Sequence, residues 1–400
     1  MAAYKARLQE FDQLISEEKI EIQKVQKLCF SGVPDEGGRR ALFWKILLNY
    51  LPLTPSQWND TLNKKRAQYR HFVEEMVVEP ARLSKKNEGS ENHVEDHPLN
   101  PNPDSQWGSF FKDNEVLTQI DKDVRRLCPD IMFFQRGTDF PCKLIVDDPD
   151  VERLHRRVTY SSLKASTVTR RGLGVTKVES TNCRSSVVED YHPLPPGSEA
   201  HWEVVERILF IYAKLNPGQS YVQGMNEIIG PIYYTFANDP NLETRAMAEA
   251  DCFWCFISLM GEIRDFFIRT LDESESGIGA MMKRLMNNLK HHDHQLWNRL
   301  RLQDLEPQFF SFRWLTLLLS QEFDLPDVIR VWDSLFADSN RFSYLIQVCT
   351  AMLVLQRDVM LENDFASNMK LLQRYPPLDV QILLSKATEL IEAPGTESSS

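Results

Sequence analysis

Apolar residues recur at helical spacing through almost every structured stretch of this chain, and period-two alternation is scarce. The stretch from His201 to Lys214 shows the pattern, with apolar side chains at Trp202, Val205, Ile208, Leu209 and Tyr212. This period places one apolar face along a helix, whereas a half-buried strand requires strict alternation. The sequence therefore predicts an all-α protein.

The composition is that of a soluble globular protein, with 42% hydrophobic and 26% charged residues among 400. The formal net charge of −11 argues against a nucleic-acid partner, because phosphate binding requires a basic face. No apolar run approaches the about 18 residues of a membrane span, and the amino terminus lacks the core of a signal peptide. The seven cysteines are scattered, which is typical of reduced thiols. We expect a cytoplasmic protein.

Two polar stretches interrupt the helical pattern and predict insertions, at about 79–106 and about 143–198. The second is rich in serine, threonine and charge, and its part from 153 to 186 has eight basic residues and one acidic residue. Long unstructured segments within a domain are usually functional or disordered. One functional interpretation is weak contact between the basic segment 153–186 and an anionic membrane surface.

Two other clusters have plain structural interpretations. Cys252 and Cys255 have the C-x-x-C spacing, but their apolar flanks favour a buried helix over a redox or zinc site. His291, His292 and His294 lie in a charged stretch, which favours a solvated helix end over a metal site. We therefore predict no metal.

The first polar motif that can carry chemistry is Ile120-x-x-Asp123-x-x-Arg126. Its three residues are spaced i, i+3 and i+6, so they share one stripe of a helix. In a structural role this is a buried isoleucine beside an ordinary ion pair. In a functional role Asp123 would orient the planar Arg126 guanidinium towards a phosphate. Arg125 is the neighbouring alternative, but it lies off the stripe.

The second motif is Tyr221-Val222-Gln223-Gly224, which precedes an apolar segment. Its structural interpretation is a polar loop before a helix. Gly224 would allow the backbone next to Gln223 to approach a partner closely. Arginine and glutamine are the two side chains that GTP hydrolysis most needs, for neutralising the γ-phosphoryl charge and aligning the attacking water.

A third motif joins Arg40 and Trp44, four residues apart on a predicted helix after Gly32-Val33-Pro34. This spacing allows a cation–π pair. We assign it a structural role.

Together these motifs resemble, in order and spacing, the signature of the TBC-domain Rab GTPase-activating proteins. The resemblance covers about 32–355 and extends to Pro129-Asp130 and to Val328-Ile329-Arg330-Val331-Trp332-Asp333. It implies one large helical domain with two helical subdomains, and stimulated GTP hydrolysis on a GTP-bound Rab in membrane trafficking. It implies an arginine finger at Arg126 and a glutamine finger at Gln223, with Ile120, Asp123, Tyr221, Gly224, Arg40 and Trp44 in support. It implies no cofactor of the chain's own, because the Rab carries GTP and Mg²⁺.

The resemblance divides the chain into a helix at 1–31, the domain at 32–355, a helical part at 356–392 and a disordered tail at 393–400. Two features depart from the family pattern: Leu127 stands where threonine is common, and the 143–198 insertion lengthens the distance between the motifs. Two alternatives remain at this point. One is a module of the same fold that binds a Rab or another partner without hydrolysis, and the other is a phosphoinositide or membrane adaptor that uses the basic segment. The Rab and the oligomeric state are left undetermined.

Overall fold

The computed structural model describes residues 2–82, 106–158, 194–195, 197–268 and 277–392. Within these ranges every helix-or-strand element is helical, apart from one isolated antiparallel bridge between Gly137 and Ala200. The all-α prediction is confirmed. In the same ranges no helix has both the length and the apolar character required to cross a membrane.

The helices are numbered in chain order. They are α1 (Ala2–Ser16), α2 (Ile22–Phe30), α3 (Arg39–Leu47), α4 (Trp58–Val73), α5 (Gln106–Val124), α6 (Lys143–Val146), α7 (His201–Leu215), α8 (Met225–Ala237), α9 (Leu242–Arg245), α10 (Ala248–Ile263), α11 (Ile278–His292), α12 (His294–Leu302), α13 (Ser311–Thr316), α14 (Leu325–Ala337), α15 (Arg341–Leu355), α16 (Arg357–Glu362), α17 (Phe365–Gln373) and α18 (Val380–Glu392). Helix α4 continues as a π-helix, Glu74–Val78, and short 3-10 helices occur at Glu36–Gly38, Pro55–Gln57, Arg264–Phe267 and Pro307–Phe309.

The chain forms two compact units, in agreement with the two helical subdomains that the resemblance implies. The first contains 1–66 and 227–400, and the second contains 67–226. In the first unit Phe11 on α1 packs edge-on against Phe43 on α3, with ring centroids 4.9 Å apart. At the other end of the chain α18 packs along α15. Helices α1 and α18 thus belong to the same unit, and the family-based division at 31 and 355 stays a prediction.

A buried carboxylate organises the middle of the first unit. Asp333 on α14 is fully buried, and its Oδ1 accepts hydrogen bonds from Trp44 Nε1 at 2.7 Å and Arg40 Nε at 3.2 Å. The predicted cation–π pair is therefore corrected, because Arg40 and Trp44 both turn to Asp333 instead of to each other. A buried carboxylate needs hydrogen-bond donors more than an indole ring needs a cation, which explains this choice.

The second unit is built on helices α5 and α7, which pack against each other. A buried ion pair, Glu199 with Arg207 at 2.5 Å, fixes the start of α7. The same carboxylate accepts a hydrogen bond from the Cys142 backbone N–H at 2.9 Å. The Trp202 N–H donates to the Phe134 carbonyl at 2.9 Å, so the chain that follows α5 is attached to the first turn of α7.

The first predicted insertion lies mostly outside the described residues. Residues 79–82 are helical and α5 begins at Gln106, which leaves 83–105 without a description. The predicted tail at 393–400 also lies outside the described residues.

The described part of the second predicted insertion, 143–158, is folded. Helix α6 starts at Lys143, a helical stretch covers 154–158, and Ile145, Val151, Leu154 and Val158 are buried. These four apolar side chains are spaced widely among charged residues, which is why composition alone suggested a polar segment. Residues 159–193 and 196 lie outside the described residues.

Candidate functional site

Arg126 lies in a turn after helix α5, which ends at Val124. The predicted helical stripe therefore contains Ile120 and Asp123 but stops before Arg126. The turn is tight: the Leu127 N–H donates to the Val124 carbonyl at 3.2 Å. Arg126 nevertheless folds back, and its Nη2 donates to Asp123 Oδ1 at 2.5 Å. The structure thus contains the predicted Asp123–Arg126 pair, although a turn and not a helix brings the two side chains together.

Arg125 and Arg126 differ in what holds them. The Arg126 side chain is 60% exposed, and Asp123 is its one partner among the described residues. The Arg125 side chain is 34% exposed, and its Nε lies 2.9 Å from Asp121 Oδ1. The Arg125 guanidinium also lies over the ring of Trp202, 4.4 Å from the ring centre. Arg125 is therefore used inside the protein, whereas Arg126 faces solvent with its charge available.

Asp123 connects the arginine turn to the second motif. Its Oδ2 accepts a hydrogen bond from the Tyr221 hydroxyl at 2.7 Å, while its Oδ1 accepts from Arg126. Its backbone carbonyl accepts from Asn226 Nδ2 at 3.4 Å. Asp123 and Tyr221 are buried, at 4% and 6% exposure. One buried carboxylate therefore binds a residue from each motif.

Gln223 lies in the turn between buried Tyr221 and helix α8, which begins at Met225. The Met225 N–H closes this turn on the Val222 carbonyl at 3.1 Å. Gly224 has φ of +104°, in a region that favours glycine because a Cβ would be strained there. Gln223 is exposed, and among the described residues its side chain has no hydrogen-bond partner. Its amide is free to bind another molecule.

Three buried ionisable residues of helix α7 have shifted pKa values. Burial lowers the pKa of His201 to about 4, so this ring is neutral at pH 7 and stacks on Phe133 at 4.1 Å between centroids. Burial raises the pKa of Glu206 well above its usual value. Burial also works to raise the pKa of Glu203, but the hydrogen bond to His155 and the charge of Arg153 outweigh it, and the pKa is lowered. All three groups are buried residues of helix α7 in the second unit.

The structure brings some of the predicted residues together and separates others. Arg126, Asp123 and Tyr221 form one cluster, and Ile120 is fully buried one turn before Asp123. Arg40 and Trp44 belong to the first unit and hold its core.

Cys252 and Cys255 are buried within α10, as a buried helix requires. Among the described residues no group of three histidine, cysteine or acidic side chains is placed to bind a metal ion. His291 and His292 form the end of α11, and Asp293 caps the start of α12 by accepting from the Leu296 N–H at 2.9 Å. These two clusters are explained by the fold.

Three residues that hold the site received no role from the sequence. Asn226 follows the glutamine motif and contacts Asp123, and Asp121 binds Arg125. The four-residue spacing from Asp121 to Arg125 could have indicated that pair. Trp202 gave no local signal, because the chain places it far from Arg125 and only the packing of α5 on α7 joins them.

Comparison with known proteins gives consistent matches. Residues 191–361 match the Rab-GTPase-TBC domain family. The chain is 57% identical over 393 residues to human TBC1 domain family member 13, which covers 97% of this chain and 98% of the human protein. It is 37% identical over 452 residues to a TBC domain-containing protein of Schizosaccharomyces pombe, which covers 97% of this chain and 73% of the yeast protein. The crystal structure of the Ypt/Rab-GAP domain of Gyp1p has the same fold, with a TM-score of 0.63 at 22% identity, over 96% of this chain and 97% of that one.

Proposed function

The chain belongs to the family of Rab-GTPase-TBC domain proteins, and from this premise we propose that it stimulates GTP hydrolysis on a Rab-family GTPase by supplying Arg126 and Gln223 in trans. The Rab carries the nucleotide and Mg²⁺, so the chain needs no cofactor of its own. By returning a Rab to its GDP-bound state it would regulate membrane trafficking. It would act from the cytoplasm at the surface of the membranes that carry the Rab.

The observation that carries this proposal is the position of Asp123. Its two carboxylate oxygens bind Arg126 and Tyr221, and Gln223 follows Tyr221 by two residues. A buried, fully engaged carboxylate has restricted freedom, so it fixes both the arginine turn and the start of the glutamine turn. The two exposed side chains are therefore offered from a shared support, which a protein that only binds a Rab would not need.

Arg126 is proposed to neutralise the negative charge that develops on the γ-phosphoryl group. Its guanidinium presents several donors in a rigid plane that matches phosphate oxygens, and Asp123 occupies the Nη2 side of that plane. An arginine finger contributes roughly 10³–10⁵ in rate, or about 4–7 kcal/mol of barrier. The 60% exposure of Arg126 supports this role, because the finger must reach into the partner.

Gln223 is proposed to align the water that attacks the γ-phosphorus. Its amide has one acceptor and two donors, so it can accept from the water while donating to a phosphate oxygen. Gly224 has no Cβ, so the backbone next to the glutamine carries no side chain, which favours a close approach of the partner. A Rab that lacks its own catalytic glutamine should then still respond to this protein.

The membrane-adaptor alternative loses part of its basis in the described residues. Arg153 Nη1 lies 3.1 Å from Glu203 Oε2, and Arg157 is buried with its Nη2 donating to Asn114 Oδ1 at 3.1 Å. Two of the eight basic residues of segment 153–186 thus serve the interior of the protein. Arg156 is exposed, and the other five lie outside the described residues.

A panel of GTP-loaded Rabs, assayed for single-turnover hydrolysis with and without the protein, tests the proposal. We expect one Rab or a few to be accelerated, and Arg126→Ala to remove roughly 10³-fold or more of that acceleration. Arg125→Ala is the matched control, because it removes the same kind of side chain one residue earlier and should cost far less. Equal losses for the two variants, or no acceleration of any Rab, would contradict the proposal.

A further inference from the structure

Residues 151–158, which we call the strap, lie in the chain between helices α5 and α7 and contact both helices. Its apolar side chains Val151, Leu154 and Val158 are buried. Towards α7, Arg153 binds Glu203 at 3.1 Å and donates from Nη2 to the Ser198 carbonyl at 2.7 Å. Towards α5, buried Arg157 donates to Asn114 Oδ1 at 3.1 Å. The strap is therefore fixed at both helices by charged and apolar contacts.

The strap also reaches Trp202, in the first turn of α7. The His155 ring packs edge-on against the Trp202 ring at 5.3 Å between centroids, and His155 Nδ1 lies 3.3 Å from Glu203 Oε2. On the other side, the Trp202 ring bears the Arg125 guanidinium at 4.4 Å. The backbone N–H of Trp202 donates a hydrogen bond to the Phe134 carbonyl. Trp202 is thus held by the strap, by the chain after α5, and by Arg125.

Arg125 is the first residue after helix α5 and begins the turn that carries Arg126. Its Nε binds Asp121, one helical turn back, and its planar face rests on Trp202. These two contacts fix the direction in which the backbone leaves the helix. The next residue is Arg126, whose own contact within the described residues is the Asp123 carboxylate. The orientation of Arg126 therefore depends on Asp123 at its tip and on the Arg125–Trp202 stack at its base.

We propose that Trp202 is a positioning residue for the arginine finger and that the strap holds Trp202 in place for this purpose. The inference rests on the proposed function. Trp202 does not touch the partner's nucleotide in this scheme; it limits the conformations of the turn that carries Arg126. A cation–π stack at a partly exposed site is worth enough to change the finger's correctly placed population by about two- to thirty-fold.

The test is Trp202→Leu, which keeps apolar bulk but removes the aromatic face. With the responsive Rab, the single-turnover rate at saturating protein should fall by about two- to thirty-fold, while the half-saturating concentration changes less than about two-fold. Trp254→Leu is the matched control, because Trp254 bears Lys65 at 3.8 Å in the first unit. It removes the same type of stack and should leave the rate unchanged. An equal loss in both variants, or a change confined to half-saturation, would overturn the proposal.

A double-mutant comparison tests whether Trp202 acts through Arg125. Arg125→Ala should lower the saturating rate at least as much as Trp202→Leu, because it also removes the contact with Asp121, and the two together should lower it no further than Arg125→Ala alone. Multiplied losses in the double variant would overturn the proposal. Should Trp202→Leu not fold, Arg125→Ala carries the same rate test, because the Arg125 side chain is 34% exposed and its removal leaves no buried cavity of aromatic size.

Hydrogen exchange on the protein alone separates this inference from the proposed function. Trp202→Leu should speed amide exchange in the 125–134 region, and Trp254→Leu should not. If the wild-type protein accelerates no Rab, the proposed function fails while the exchange result still decides whether Trp202 orders the turn. Unchanged exchange in that region would overturn the positioning role whatever the hydrolysis assay gives.

Discussion

The replacement of Asp123 by asparagine is the sharpest test of the shared support. Asparagine keeps the shape of the side chain but substitutes an NH₂ donor for one carboxylate oxygen. In the structure one oxygen accepts from Arg126 at 2.5 Å and the other from Tyr221 at 2.7 Å. Asparagine offers one neutral acceptor, so Arg126 either meets the NH₂ group or keeps an uncharged acceptor while the Tyr221 hydroxyl accepts from the NH₂ instead of donating.

The size of the effect follows from the burial of the partners. Asp123 is buried, but the Arg126 side chain is 60% exposed, so solvent screens the ion pair. A hydrogen bond to a charged group contributes about 1.5–3 kcal/mol when buried, and an exposed pair about 0–1 kcal/mol. We take about 1–2 kcal/mol for this half-buried case, which corresponds to about 5- to 30-fold in rate. Arg126→Ala should cost far more, because it removes the charge itself.

The assay is single-turnover hydrolysis on a Rab that responds to the wild-type protein. Asp113→Asn is the matched control, since Asp113 lies on the same helix and binds Lys214 at 2.6 Å with both side chains partly buried. It should stay within about two-fold of wild type, because Asp113 pairs with Lys214 and with neither Arg126 nor Tyr221. A rate for Asp123→Asn equal to wild type would refute the shared support. A loss as large as that of Arg126→Ala with an intact fold would show that Asp123 does more than orient the finger.

Three further predictions follow from the same structure. Gln223→Ala should lower the rate at saturating protein by at least about 10²-fold, measured by single-turnover hydrolysis. Rab binding, measured by titration, should not weaken. Retained activity would exclude a glutamine finger. A short Gly/Ser linker in place of 159–193 should leave the hydrolysis rate within a few-fold of wild type. Removal that extends back to 143 should unfold the second unit, as measured by circular dichroism, because it deletes buried side chains. Loss of activity in the shorter deletion would assign the segment to the Rab-binding surface. His201 has a folded pKa of about 4 against 6.5 unfolded, so the unfolded chain binds more protons between these values and stability falls as pH drops through that window. The free energy of unfolding, measured with urea, should fall by about 2 kcal/mol between pH 7 and 5. His201→Phe, which keeps the aromatic stack, should remove most of that pH dependence.

The sequence by itself determined the fold class and the family, and it supplied the residues that we propose carry the chemistry. Helical periodicity is a local property, so the apolar spacing of stretches such as 201–214 was sufficient to predict helices. The signature that contains Arg126 and Gln223 is also local in each part. Its spacing correctly indicated that Asp123 pairs with Arg126, although helix α5 ends too early for the two to share a helical stripe.

Only the tertiary structure decided which side chains those residues contact. Trp44 and Arg40 were expected to stack because they lie one turn apart, but Asp333, nearly the whole chain away, is buried and requires their donors. The strap looked like polar insertion because its few apolar residues are diluted by charge, yet Arg153 and Arg157 have partners on α7 and α5. In the same way, Tyr221 reaches Asp123 and Arg125 reaches Trp202 only after α5 packs on α7. A buried polar group binds whichever partner the packing brings within reach, and sequence spacing does not contain that information.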